Sequence, residues 1–399
     1  MKKKVLFLIH TLQIGGAEKV LVNLVNNIDK SKYDVTVMTV INTGAFRNEL
    51  DNDIKYKTIF NIKFLNGNRS KSKKSNNKTS GNLFDKTSKI KNFLSILYKL
   101  FWKIIDCQKI YEKYVKDDYD IEVAFLEGVA AKIISKSTNK KSKKYVWLHV
   151  DLIKERKTEG FFKNVEEEKN TYNSFDKVVG VSKFVIQQAI EKYNLDTNKT
   201  IVKYNPIDKN EIQKKAKEDI DIKKQRFTMV TIGRLSTQKG YDRLLRVVKK
   251  LNKDGLEFDL WIIGVGAEEE KLKKYAEENK LLNVKFLGYQ DNPYKYINCA
   301  DMFVCSSRAE GFSTVVSEAV ILEKVIVTTE CSGMREILGE NSEFGVICKN
   351  NEEDLYYAIK EIMVSEEVRN KYQEKIKKRK NIFDIKQSVR EIERLFEGE

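Results

Sequence analysis

Two acids eight positions apart, Glu310 and Glu318, bracket the run Gly-Phe-Ser-Thr-Val-Val-Ser, and their spacing suits a ligand rich in hydroxyls. If a helix starts near Thr314, Glu310 precedes it and Glu318 lies about one turn in, so that both carboxylates face one ligand roughly a sugar ring apart. A carboxylate accepts two vicinal hydroxyl protons at once. Between the acids, the N–H groups of Phe312 to Val315 form a nest for an anion. Glu310 equally reads as a helix N-terminal acid interacting with the dipole.

A second cluster, Gly233-Arg234-Leu-Ser-Thr-Gln-Lys239-Gly240, offers two cations around a loop. Arginine brings a planar fork and lysine a mobile point charge, and the two can converge on a diphosphate. Both also read as solvated surface charges. Gly15 and Gly16 sit between an apolar run and a helical pattern, where paired glycines let a ligand approach the backbone; a tight turn needs the same residues. His149, in Trp147-Leu-His149-Val-Asp151, either donates to a sugar or phosphate oxygen or is a structural histidine. His10 is a candidate lining residue beside the glycine pair.

Other patterns do not carry chemistry. Gly264-Val-Gly266 lacks a third glycine, and Glu268, Glu269 and Glu270 would repel a pyrophosphate, which excludes a dinucleotide fingerprint. Three acidic D-x-D triplets (Asp51, Asp53; Asp118, Asp120; Asp219, Asp221) lie away from the phosphate loops, and no catalytic metal or cofactor is expected.

Each useful cluster follows a strand-like run. Val5 to Ile9, Asp34 to Val40, Ile121 to Leu126, Tyr145 to Leu148 and Lys177 to Val181 alternate with helical patterns such as Glu18 to Asn27 and a helix from Lys183. A second set begins after Pro206, with Phe227 to Ile232, Phe258 to Ile263, Val284 to Leu287, Met302 to Ser306 and Val325 to Thr329. This is the pattern of two Rossmann-like doubly wound α/β domains, with strand C-termini facing a cleft. The expected boundaries are 1–205, 206–381 and a C-terminal helix at 382–399. Between 203 and 224 Pro206 and a charged run predict an irregular join.

The 399 residues carry 74 Lys or Arg against 58 Asp or Glu, a net charge of +16, which implies an anionic partner. Residues 61–116 hold 14 basic and 3 acidic residues (Asp85, Asp106, Glu112). Within them, a basic insert at 66–90 begins with Asn66 to Asn82, which has no apolar side chain and predicts a loop. An amphipathic helix follows at about 90–116. Phe93, Leu97, Leu100, Phe101, Ile104 and Tyr111 share one half of its wheel, opposite Lys91, Lys99, Lys103, Lys109, Lys113 and Lys116. The apolar half would pack on the core. Tyr98 and Trp102, on the lysine side, suit an anionic membrane surface, contacted through residues 86–116. No nucleic-acid motif accompanies the patch.

Five cysteines without a C-x-x-C pair indicate a reduced, cytoplasmic chain. The run after Lys2, Lys3 and Lys4 is too short for a signal peptide, and no stretch is long enough to span a bilayer. A soluble or peripheral protein is expected.

With these clusters in order, the chain resembles glycosyltransferase family 4, the glycosyl transferases group 1 enzymes of the GT-B fold. The resemblance rests on Gly15-Gly16-Ala-Glu18, Val181-Ser-Lys, Tyr204-Asn-Pro-Ile-Asp208, Gly233-Arg-Leu to Lys239-Gly240, and Glu310 to Glu318. It implies a nucleotide-sugar donor, a UDP-sugar, whose diphosphate is held by Arg234 and Lys239 with Gly15 or Gly16 approaching it. Glu310 would contact sugar hydroxyls, Glu318 the ribose, the backbone of Gly311, Phe312, Ser313 and Thr314 the phosphate and sugar, and His149 the donor sugar. Ser313 departs from the glycine many members carry there.

The resemblance further implies metal-independent retaining transfer of a hexosyl unit, and a C-terminal helix crossing back to the first domain. The acceptor would be a lipid-linked or growing glycan in surface polysaccharide synthesis, at the inner face of the cell membrane. The competing readings are a soluble α-glucan or disaccharide synthase of the same fold, and a non-catalytic scaffold binding polyanions or membranes.

Overall fold

The computed structural model describes residues 1–61, 94–154 and 158–399. The basic insert expected at 66–90 and the loop expected over Asn66 to Asn82 lie outside the described residues, as do Lys91 and Phe93. The chain divides into two compact units, 1–180 with 186–202, and 181–185 with 203–399.

The first unit runs β1 (Lys3–Ile9), α1 (Gly16–Asn27), β2 (Tyr33–Ile41), β3 (Lys55–Phe60), α2 (94–104), α3 (Cys107–Tyr114), β4 (Ile121–Ala124), α4 (Val129–Ile134), β5 (Lys143–Leu148), α5 (Val165–Asn173), β6 (Lys177–Gly180), α6 (Lys183–Tyr193) and β7 (Thr200–Val202). Its strands form one sheet in the order β3-β2-β1-β4-β5-β6-β7. Every pairing is parallel. Such sheets are covered on both faces, which is why Val5 to Ile9 is apolar without alternation and fully buried. Each of these side chains stabilises the fold by about 1.5–3 kcal/mol relative to exposure.

The second unit runs α7 (Lys209–Lys215), β8 (Thr228–Ile232), α8 (Tyr241–Lys253), β9 (Asp259–Ile263), α9 (Glu269–Glu278), β10 (Val284–Gly288), α10 (Tyr294–Cys299), β11 (Met302–Cys305), α11 (Thr314–Ile321), β12 (Val325–Thr329), α12 (Met334–Leu338), β13 (Val346–Cys348), α13 (Glu352–Val364), α14 (Glu366–Arg379) and α15 (Ile385–Glu397). Its sheet, again all parallel, has the order β10-β9-β8-β11-β12-β13. Leu244, Leu245, Val247, Val248 and Leu251 of α8 are buried in its core with Met229, Leu260, Ile262, Val304 and Val327. α15 groups with this unit, where Lys203 pairs with Glu391 at 3.2 Å.

Three local expectations are corrected. The single helix expected at about 90–116 is two helices, because Asp106 accepts the N–H of Gln108 at 3.0 Å and caps α3 after α2 has ended. The charged join is not irregular throughout: Asp208 accepts the N–H of Glu211 at 2.9 Å and starts α7. The α2 faces are also reversed. Trp102 is fully buried and Tyr98 half-buried, whereas Leu97, Leu100, Phe101 and Ile104 are exposed. The aromatic pair has flat partners in Phe60 and Phe161, and the Lys132 ammonium donates to the Trp102 carbonyl at 2.7 Å.

Candidate functional site

In both sheets the strand order reverses direction once, between β1 and β4 in the first and between β8 and β11 in the second. Helices leave neighbouring strands on opposite faces at such a point, and the crevice beyond the strand C-termini accepts ligands. The sequence places its charged candidates beyond the second switch point. Arg234 and Lys239 follow β8, and Glu310 follows β11.

These two loops are knit together by close backbone approach. Gly240 has φ +68°, and a Cβ there would stand 2.1 Å from the Ser306 carbonyl oxygen, so no side chain fits. A Cβ on Gly264 would lie 2.0 Å from the Gly233 carbonyl oxygen; this glycine seats the loop after β9 against the loop after β8. The Ser306 hydroxyl donates to the Lys239 carbonyl at 2.9 Å, the Arg308 N–H to the Gln238 carbonyl at 2.7 Å, and the Gln238 amide to the Ala309 carbonyl at 3.0 Å.

On this frame the Lys239 ammonium meets the Glu310 carboxylate at 2.7 Å. The same Oε1 accepts from the Ser307 hydroxyl at 2.5 Å, and Glu310 is 7% exposed. Burial draws the Lys239 pKa down, but the adjacent Glu310 charge outweighs it and the net shift is upward, so the lysine stays charged. Arg234, on the same loop, is exposed and makes no protein hydrogen bond or ion pair among the described residues. One cation is fixed and the other is free to turn towards an anion.

α11 begins immediately after, with Ser313 at its N-cap. The first N–H groups of a helix have no acceptor within it and present partial positive charge. Gly311 and Phe312 approach it in buried backbone, and the Gly311 carbonyl accepts the Ser182 hydroxyl at 3.2 Å. The Ser313 hydroxyl makes no capping bond, is buried, and has no hydrogen-bond partner. Glu318 is partly buried on the second turn. The Lys239, Glu310 and α11 N-terminal groups thus meet beyond adjacent strand ends.

Sequence reasoning missed the support beneath them. The Arg243 guanidinium, 5% exposed, donates to the carbonyls of Ser306 and Ser307 at 2.5 and 2.6 Å and to Asn350 Oδ1 at 2.7 Å. Arg308 forks onto Asp242 at 2.7 and 2.8 Å; those hydrogen bonds hold the Asp242 carboxyl down, to about 2. A charged residue among the apolar positions of α8 was the one available signal for Arg243.

In the first unit, Gly15 is the extended N-cap of α1 and Gly16 its first residue. The atoms nearest a Cβ at Gly15 would be those of the Glu18 carboxylate, 2.2 Å away at the end of a flexible side chain. His149, beyond β5, stacks obliquely on Phe125 with centroids 5.0 Å apart. Its backbone N–H donates to Glu127 at 2.9 Å, and its Nε2 is buried without a partner. Burial lowers its pKa to about 3 and that of His10 to about 4. His10 Nε2 lies 2.7 Å from the Tyr98 hydroxyl. Both rings are neutral hydrogen-bonding groups at neutral pH.

Comparison with known proteins gives a family match over part of the chain and a fold over all of it. Residues 212–379 match the family model described as "Glycosyl transferases group 1". The chain is 32% identical over 216 residues to the N-acetylgalactosamine-N,N'-diacetylbacillosaminyl-diphospho-undecaprenol 4-alpha-N-acetylgalactosaminyltransferase of Campylobacter jejuni, a match covering 53% of this chain and 58% of that one. Among solved structures, Anabaena HepE in complex with UDP and glucose superposes with TM-score 0.71 at 18% identity, covering all of both chains. A point mutant of Staphylococcus aureus TarM, in complex with fondaparinux, alpha-GlcNAc-glycerol and UDP, gives 0.72 at 14% identity over 99% of each. At these identities the solved structures establish the fold.

Proposed function

Residues 212–379 belong to the glycosyl transferases group 1 and the chain has the GT-B fold; from that premise we propose that it moves a hexosyl unit from a UDP-sugar to a lipid-linked or growing glycan acceptor. The observation that carries the reading is the meeting of Lys239, Glu310 and the start of α11 beyond the second switch point, with Arg234 exposed on the same loop. Arg234 and Lys239 take the diphosphate, α11 adds its N–H groups, Glu310 and Glu318 accept sugar and ribose hydroxyls, and His149 and the Gly15–Gly16 turn serve the donor sugar and diphosphate as the family resemblance implies.

As the bond from the sugar's anomeric carbon to the departing phosphate oxygen breaks, charge grows on the leaving diphosphate, and fixed cations and helix N–H groups aimed at it lower the barrier. They do the electrostatic work of a divalent ion, so the proposed reaction is metal-independent. The acceptor oxygen bonds to the same face of that carbon and its proton passes to the departing phosphate oxygen, which retains configuration. A role in surface polysaccharide synthesis at the inner face of the cell membrane agrees with the undecaprenol-linked substrate named for the Campylobacter relative.

Calorimetry with UDP, GDP and ADP in excess EDTA tests the donor site. UDP is expected to bind without metal and to weaken about tenfold or more in Arg234→Ala and Glu318→Ala, as lost charged hydrogen bonds predict. Binding only with a divalent ion would overturn the metal-independent mechanism. Equal turnover of free oligosaccharide and lipid-linked acceptor would make it a soluble glucan or disaccharide synthase instead.

A further inference from the structure

The helix α2 shows its apolar residues to the outside. Leu94, Ile96, Leu97, Leu100, Phe101 and Ile104 are 54, 59, 45, 49, 41 and 75% exposed. At about 100° per residue they occupy an arc of about 160°. Eleven residues with six large exposed side chains depart from the scattered single exposures usual on a soluble surface. The opposite edge holds the helix down: Trp102 is wholly buried, and Tyr98 reaches His10.

Lys99 and Lys103 stand on the wheel between the buried edge and one border of the apolar arc, with the Lys99 stem laid along Gly160. Lys109, Lys113 and Lys116 follow within the next turns and are exposed. Residues 61–116 as a whole carry a net +11 of the chain's +16. Apolar side chains flanked by lysines complement the acyl boundary and headgroups of an anionic bilayer, respectively. A helix of about 16 Å lies in that plane and does not cross it; among the described residues none is long and apolar enough to cross.

We infer that the outward strip of α2 seats the protein on an anionic membrane by inserting Leu97, Leu100, Phe101 and Ile104 below the headgroups, with Lys99 and Lys103 at headgroup level. A second copy pairing antiparallel fits less well, since Lys99 and Lys103 share one border of the strip and would meet their own kind. The inference deepens, and rests on, the reading of a membrane-side acceptor. It also gives the seat a purpose: the hydrogen bond between Tyr98 and His10 fixes α2 beside the loop that follows β1 at the first switch point.

The test uses the full chain bearing Ile104→Cys labelled with an environment-sensitive fluorophore, against Leu282→Cys, 92% exposed in the second unit, and labelled wild type. On vesicles of phosphatidylcholine containing phosphatidylglycerol, the label at 104 is expected to shift to the blue and be quenched by acyl-chain spin labels, and the label at 282 to do neither. Leu97→Glu with Leu100→Glu is expected to lower partitioning about tenfold or more, since two acids replace buried apolar groups. Lys99→Glu should lower it severalfold and only at low salt.

No response to vesicles overturns the inference. So does emission already blue-shifted in buffer, with sedimentation then telling a strip covered by its own chain (monomer) from one covered by a second copy (dimer). UDP calorimetry on the same preparations keeps the two readings apart. Vesicle insertion without UDP binding sinks the transferase; UDP binding without insertion sinks the membrane seat.

Discussion

The two sheets share one topology and surround their switch points with opposite chemistry. Beyond β8 and β11 the loops are held by charge: Lys239 on Glu310, Arg308 on Asp242, and Arg243 on three carbonyl or amide oxygens. Beyond β1 and β4 they are held by rings and neutral imidazoles: Phe7 against Phe125, Phe125 against His149, and His10 on Tyr98. A preformed ionic frame costs no reorganisation when a charged, polyhydroxylated ligand arrives. A mainly aromatic frame, with the Glu127 carboxylate taken up by the His149 N–H, suits a larger and less polar neighbour. The difference teaches that parallel sheets supply the place for a ligand while the loop residues decide its kind.

The largest effect should come from cutting the charged frame where it meets ligand. Lys239→Ala and Arg234→Ala should each lower transfer roughly 10²–10³-fold, the range for removing one preorganised donor at a developing anion. Steady-state kinetics on the donor separates them. Arg234 makes no hydrogen bond or ion pair among the described residues, so Arg234→Ala should leave the melting temperature unchanged, whereas Lys239→Ala also leaves Glu310 without its cation and lowers stability. A fully active Arg234→Ala would remove the exposed cation from the mechanism.

Next in size is the support. Arg243→Met leaves the Ser306 carbonyl without its guanidinium donor, while the Ser307 carbonyl keeps the Thr329 hydroxyl at 2.6 Å; at about 1–3 kcal/mol per unsatisfied buried group the second unit should lose about 1–3 kcal/mol. Trp261 lies in that unit and Trp102 and Trp147 in the first. In urea, a transition followed in a Trp261-only variant should move to lower denaturant, and one followed by Trp102 and Trp147 should not. Equal shifts would show that the two frames unfold as one.

These residues also show what could be read in advance. The inner strands were legible because burial on both faces demands unbroken apolar runs such as Val5 to Ile9. β3, β7 and β13 were not, and each is a sheet edge. Lys55–Phe60 is half polar, and Thr200–Val202 and Val346–Cys348 have three residues each. Arg234, Lys239 and Glu310 were legible because glycines and a helix start frame them. Arg243 was not, since its carbonyl partners exist only once β11 lies beside β8. The faces of α2 were misread because the wheel assigns sides by polarity alone, while the neighbouring Phe60, Phe161 and His10 select Tyr98 and Trp102 for the inside.

The frames should also separate in acid. His10 is depressed from 6.5 to about 4 by burial, so its contribution is complete above the unfolded value and is lost as pH falls from about 6.5 through 4. Asp242, held from 3.8 down to about 2 by Arg308, contributes above 3.8 and is lost only below it. Burial holds Glu122 and Glu168 of the first unit up, and they titrate in the opposite sense. The difference between wild type and His10→Asn therefore isolates the imidazole. Melting curves from pH 7 to pH 4 should converge for that pair; parallel curves would mean that the His10 ring is not held neutral.

The smallest change probes a buried polar side chain of the charged frame that has no hydrogen-bond partner among the described residues. Ser313 occupies the α11 N-cap without capping it, and its hydroxyl is buried and unpaired. Leaving a hydroxyl unsatisfied costs about 1–3 kcal/mol, so Ser313→Ala should raise the stability of the free protein by about 1 kcal/mol. If that cost is kept for a ligand, the same variant should bind UDP as before and UDP-sugar about fivefold more weakly, a neutral hydrogen bond's worth. Matched calorimetry with UDP and UDP-sugar reads the two apart. Equal affinities would leave recognition in the first turn of α11 to backbone N–H groups alone, and the second frame would then discriminate sugars only through Glu310.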